Sequence, residues 1–208
     1  MSQLKLTADG GGGTVAIKAP ASTTGNAAFE LTVPGTGNST LATTATAGKI
    51  LQVIQAVKTD TQSLSSSATP VDITGLSVTI TPANASSKFY ITGKIVMGEQ
   101  YASQHILHIN VNGSNVGQPA AVGSRVSGHS GIGYQTNNNE YGVSDCPIDF
   151  LVDASNANAH TIKLQFSQPD TIGNDTKIIW VNRSKTDPNA QGSGSRYIST
   201  LTVMEVAA

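Results

Sequence analysis

Four histidines, a single cysteine and a run of evenly spaced aspartates are the residues of this 208-residue chain that could do chemistry. His105 and His108 stand three apart, which on a strand puts them on opposite faces, so one ion within a chain cannot take both. No acidic residue accompanies them at a ligand spacing. An ion on a three-fold axis, held by one histidine per subunit, is the metal arrangement left open. Asp145, Asp149 and Asp153 recur every four residues, and extended backbone places all three on one face. That reads as a solvated acidic row, not as two carboxylates aimed at each other across a substrate. His129-Ser130 lies in a glycine-rich stretch but lacks the flanking Gly-x-Ser-x-Gly of a nucleophile elbow. Cys146 has no partner for an intrachain disulfide. Ahead of Pro147 and the apolar run to Val152, it reads as a small buried hydrophobe, since a nucleophilic thiolate would want a positioned histidine in an electropositive niche. The sequence therefore assigns no catalytic or metal-ligating residue and calls for no cofactor.

What remains is surface. Residues 117–144 and 183–195 are long polar stretches rich in Gly, Ser and Asn. The first carries Tyr134, Asn137, Asn138, Asn139 and Tyr141, and the second carries Arg183 and Lys185. Rings, amides and cations of this kind recognise sugars and polar surfaces at low entropic cost. A loop as long as the first is more often functional than decorative in a compact domain. Plain solvated loops are the alternative reading of each residue.

The elements that would position these loops are strands. Lys49–Thr59 places Leu51, Val53 and Val57 on one face and Ile50, Ile54 and Ala56 on the other. Both faces are partly apolar, so the second side must be covered by more of the chain or by a neighbouring subunit. Val71–Ile73 and Leu76–Thr81 follow a Ser/Thr loop over Thr61–Thr69. Lys88–Met97 aims Phe89, Ile91, Ile95 and Met97 inward and Lys88, Thr92 and Lys94 outward, with Gly93 marking a bulge or a close neighbour. His105–Val111, with His105, Leu107, Ile109 and Val111 inward and His108 and Asn110 outward, leads to Asn112-Gly113, the strongest hairpin signal in the chain. Pro147–Asp153, His160–Ser167, Lys177–Asn182 and Arg196–Val206 complete about eight strands. Their short, regular spacing predicts an all-β fold, an antiparallel β-sandwich of jelly-roll-like type over residues 49–208.

Residues 1–48 differ in kind. They hold only four charges, Lys5, Asp9, Lys18 and Glu30, with short extended segments at Gln3–Thr7, Thr14–Lys18 and Phe29–Val33. Ordering costs about 1–2 kcal/mol per residue, more than so few large apolar side chains can offset. The expectation is an extended N-terminal arm that orders against another body.

Charge and hydropathy exclude whole classes. Twelve basic residues against thirteen acidic ones, with no basic block, give no footprint for nucleic acid. The apolar runs fall far short of the roughly 20 residues of a spanning helix, so membrane insertion is not expected. The start lacks a charged-then-apolar signal pattern, which points to a cytoplasm as the first location.

The stretch Gly-Gly-Gly-Gly-Thr-Val-Ala-Ile-Lys-Ala-Pro-Ala-Ser-Thr-Thr-Gly-Asn-Ala-Ala-Phe-Glu-Leu-Thr-Val-Pro at 10–34 resembles the segment ahead of the head domain in tail-fibre-like virion proteins of phages of marine bacteria, cyanophages especially. Gly48–Asp60, Val71–Ile80 and Arg196–Val206 resemble the head itself. The resemblance implies a non-enzymatic homotrimer assembled in the host cytoplasm and carried on the virion. Residues 1–48 would attach to other virion proteins, and the head would bind host cell-surface polysaccharide or protein. A dedicated shaft is missing, which leaves a short tail fibre or knob beside a capsid decoration protein; a carbohydrate-binding or carbohydrate-active module is the third reading. Trimerisation would cover Leu51, Val53 and Val57 together with Leu201 and Val203.

Overall fold

Period-2 alternation dominates this chain, and the computed structural model turns it almost entirely into strands. The structure describes residues 3–7, 14–18, 49–65, 67–98, 104–133, 140–169, 177–191 and 194–208. They fall into two compact units, residues 1–43 and 44–208. In the first, β1 (Gln3–Thr7) and β2 (Thr14–Lys18) form an antiparallel hairpin with Gln3 opposite Lys18 and Thr7 opposite Thr14. The expected strand at Phe29–Val33 lies outside the described residues.

The second unit contains β3 (Ile50–Lys58), β4 (Gln62–Ser65), β5 (Ser67–Ile80), β6 (Lys88–Gly98), β7 (His105–Val111), β8 (Ser114–Val116), β9 (Ser130–Ile132), β10 (Val143–Asp153), β11 (His160–Gln168), β12 (Ile178–Val181) and β13 (Ser199–Val206). One sheet runs β3-β13-β6, with β10 on the far side of β6 and with β4 and β12 prolonging the lines of β3 and β13. The other runs β5-β11-β7, closed by β8 and β9. Counted along the chain, with β3/β4, β8/β9 and β12/β13 each taken as one interrupted strand, the partners are first with eighth, second with seventh, third with sixth and fourth with fifth. A long antiparallel ribbon rolled into two layers gives this pairing, so the unit is a jelly roll.

The layers meet through the residues the alternation placed inward. Phe89, Ile91, Ile95, Met97, Ile148, Leu201 and Val203 of one sheet face Leu76, Val78, Ile80, Leu107, Ile109, Ile162, Leu164 and Phe166 of the other, all of them buried. Each such side chain contributes about 1.5–3 kcal/mol on leaving water. Gly93 is the close approach its position suggested. Its φ is +153°, and a Cβ there would stand 2.2 Å from the Thr200 carbonyl oxygen. Asn112 and Gly113 both take positive φ, 50° and 90°, and make the expected two-residue turn.

Two expectations are corrected. The Ser/Thr stretch at 61–69 is not a loop: β4 and the start of β5 lie in it, held by pairing of β4 with β12. His108 and Asn110 do point away from the core, yet both are buried, and His108 Nε2 lies 2.8 Å from Ser167 Oγ. Gln118, at the start of the following loop, reaches the other ring nitrogen of His108.

The flank where β3 meets β5 is stitched by side chains. Lys58, 2% exposed, donates from Nζ to the Thr74 carbonyl (2.9 Å) and to Asp60 (3.0 Å). Gln62 donates to the Asp72 carbonyl and accepts from the Thr74 N–H, as a neighbouring strand would. Buried Glu205 accepts from Gln52 (2.6 Å) and from the Ala83 N–H (2.7 Å). Burial pushes its carboxyl up, and hydrogen bonds from Ser87, Gln52, Ala83 and Asn84 outweigh that and leave it below its ordinary value.

Candidate functional site

The outer face of the first sheet is where the fold leaves apolar surface in water. Ile54 and Ala56, on the inward face of β3, are half-covered by the sandwich, whereas Leu51, Val53 and Val57 on the opposite face are 41%, 55% and 46% exposed and Ile50, where the strand begins, is 51% exposed. Among the described residues β3 is also an end strand of its sheet, hydrogen-bonded along its backbone to β13 and through Gln52 and Lys58 side chains to the β5 flank. Strand register extends the apolar surface inward from that edge. Val53 stands opposite Met204, Met204 opposite Tyr90, and Tyr90 opposite Leu151, so the four side chains form a row across β3, β13, β6 and β10. Leu151, at the far end, is again half exposed. Two cross-strand ion pairs flank the row, Lys88 with Asp153 on one side and Lys94 with Asp145 (2.9 Å) on the other.

Farther along the same face, a loop rises from the sheet. The line of β12 breaks at Asn182, the chain leaves over residues 183–198, and β13 resumes the line at Ser199. Asn182 builds this joint. Its φ is +63°, a conformation asparagine tolerates better than most residues. Its amide donates to the carbonyls of Lys58 and Asp60 (2.9 Å each), where β3 gives way to β4, and its oxygen accepts from Ser199 Oγ (2.6 Å). Arg183 then lies over the Trp180 ring, 5.9 Å from its centroid, and pairs with Asp187, which also holds Arg196 at 2.7 Å.

A second loop joins this one through Glu140. Lys185 pairs with its carboxylate, and Thr186 donates to its carbonyl from both N–H (3.1 Å) and Oγ1 (3.0 Å). The structure thereby brings together three of the expected contact residues, Tyr141, Arg183 and Lys185. Tyr141 is 56% exposed, whereas both cations are engaged within the chain. Tyr134 and Asn137–Asn139 lie outside the described residues. Beside the loop, an open cleft of about 420 Å³ is lined by Thr59, Lys94, Arg196, Tyr197 and Ile198.

Of the five expected seam residues, Leu51, Val53 and Val57 are on the surface. Leu201 and Val203 are corrected: both are fully buried in the protomer's own core, because β13 turns the parity of Leu201, Val203 and Glu205 inward. Met204 lies on the strand's outer parity. Tyr90 and Leu151 share that outer face, and the sequence carried the signal. Leu151 shares the parity of the acidic row Asp149 and Asp153, and Tyr90 that of Lys88, Thr92 and Lys94.

The residues weighed for chemistry make contacts within the fold or face outward. His129 Nδ1 donates to the Gly117 carbonyl (3.0 Å), so its Nε2 accepts from the Asp149 N–H (3.3 Å). Ser130 donates to the Pro147 carbonyl, and the two together cover the outer edge of β10. His105 is buried, and burial lowers its pKa to about 4. Cys146 is buried too, its thiol pushed up to about 12 first by burial and then by Asp145. Asp145, Asp149 and Asp153 do point outward as a row. Among the described residues no three His, Cys, Asp or Glu side chains are placed to share a metal ion.

No family profile matches the chain, and no curated protein matches it. Solved structures do. The infectious bursal disease virus Gt strain structure aligns at a TM-score of 0.44 and 15% identity over 86% of this chain and 43% of that one. The VP2 subviral particle of the same virus aligns at 0.42 and 15%, over 86% of this chain and 42% of that one. The chain thus spans less than half the length of the structures it matches.

Proposed function

We propose that this protein is a virion structural component, a non-enzymatic jelly-roll head that assembles with copies of itself through the outer face of the β3 sheet and is attached to a particle by residues 1–48. The observation that carries the reading is the half-exposed stripe of Leu51, Val53 and Val57 on the strand at the end of its sheet. A lone copy leaves that stripe in water, where contiguous apolar surface marks an association site. The jelly roll is a fold of viral capsids and of lectins alike, so it is compatible with the reading without selecting it. The resemblance of residues 10–34 and of the head strands to tail-fibre-like phage proteins favours a homotrimer on a short tail fibre or knob. In that arrangement the surface around Tyr141 and the 183–198 loop meets host polysaccharide or protein.

Labelling purified particles with an antibody against the head tests the assignment. Signal at the tail tip supports a fibre or knob, signal spread over the shell supports a capsid decoration protein, and particles free of the protein refute a virion role.

A further inference from the structure

We infer that the whole transverse row, Val53–Met204–Tyr90–Leu151, is the seam between copies of this chain, with the Val53 end of one copy set against the Leu151 end of the next. The inference rests on the self-assembly reading above and goes beyond it, because a seam confined to β3 would leave Tyr90, Met204 and Leu151 without a role.

Three observations name a second copy as the occupant. The first is size. Four strands about 4.8 Å apart, taken over about nine residues at 3.3 Å each, present roughly 600 Å² per copy, so a closed trimer, in which each copy shares its face between two neighbours, covers at most roughly 1,800 Å² in all. The second is charge. Lys88 with Asp153 and Lys94 with Asp145 neutralise each other on either side of the row, and the remaining acidic group, Asp149 beside Leu151, is set by an end-to-end contact against the β3 end, whose outward Leu51, Val53, Gln55 and Val57 carry no charge. The third is the placement of the exposed groups. The two ends of the row, Val53 at 55% and Leu151 at 50%, are its most exposed members, while Met204 and Tyr90 between them are already half covered by their neighbours. A contact that joins end to end covers what each copy leaves open. Assembly into a closed ring needs two different patches that fit one another, and this row supplies two apolar ends on one continuous surface.

The test is disulfide trapping in the full chain. Val53→Cys and Leu151→Cys are outward, half-exposed positions that the fold tolerates, and buried Cys146 gives little background. The double variant is expected to form covalent dimers or trimers under mild oxidation, reversed by reductant, with each single variant remaining mostly uncrosslinked. Leu151→Asp in the native background is expected to shift the protein to monomer mass with an unchanged melting temperature. If the native protein is multimeric but the double variant does not crosslink, or if Val53→Cys alone links to itself just as well, the end-to-end seam is wrong while self-assembly stands. A native monomer overturns both.

Discussion

Asn182 offers the sharpest test of how the loop-bearing joint is built. Its side chain satisfies the carbonyls of Lys58 and Asp60 and the hydroxyl of Ser199, all at a break in two adjacent strands. Asn182→Ala strips a partner from each, at about 1 kcal/mol or somewhat more per buried group. It also forces alanine to hold φ near +63°, which adds about 1–2 kcal/mol. The sum, about 4–5 kcal/mol, is a large part of the 5–15 kcal/mol that holds a domain together. Asn182→Gly loses the same bonds but takes the backbone angle freely. It gives back up to about 1 kcal/mol through the entropy of its unfolded chain. Glycine should therefore cost about 3–4 kcal/mol, less than alanine. Urea unfolding at neutral pH, read by linear extrapolation with an unchanged m-value, measures both. A loss under about 1.5 kcal/mol for alanine would refute the joint's role, and glycine as costly as alanine would refute the conformational part.

Three further outcomes are expected. Val53→Lys with Val57→Lys removes apolar area whose remaining half is worth roughly 0.7–1.5 kcal/mol per side chain on burial; sedimentation should show smaller species while thermal unfolding of the head stays within a few degrees. Acid should weaken the fold well above the carboxylate range, because His105 has a folded pKa of about 4 against an ordinary 6.5. The unfolded chain binds that proton first, so stability falls as pH drops from 6.5 towards 4, by at most about 1.4 kcal/mol per pH unit, and His105→Phe should flatten that part of a stability-against-pH curve. Cys146, with its thiol at about 12 and its side chain buried, should resist a thiol reagent in the native protein and react fully in urea.

Much of the fold was legible because alternation is a local signal. His160–Ser167 and Lys88–Met97 announced both their strands and their inward faces, and Asn112-Gly113 announced its turn. What escaped was decided by residues far away in sequence. Nothing in the Ser/Thr run at 61–69 marks β4, whose order comes from β12 more than a hundred residues on and from the bonds of Gln62 to β5. β13 is apolar on both parities, so no pattern could tell whether Leu201 and Val203 or Met204 and Val206 faced inward. The buried, hydrogen-bonded Glu205 shares the inward parity of the first pair. Lys58 and Asn182 read as surface residues by type and are interior by position, because their polar atoms find backbone partners across the sandwich edge. The proposed contact surface was half legible. Tyr141, Arg183 and Lys185 do come together, but Glu140, which joins their loops, carries no local mark.

The account turns on whether a single copy leaves apolar sheet surface that other copies cover. Sedimentation equilibrium on the 208-residue chain at micromolar concentration measures this most directly. A mass three times that of the 21.4 kDa chain is the predicted result. A stable monomer at that concentration, soluble with Leu51, Val53, Val57 and Leu151 in water, would contradict it.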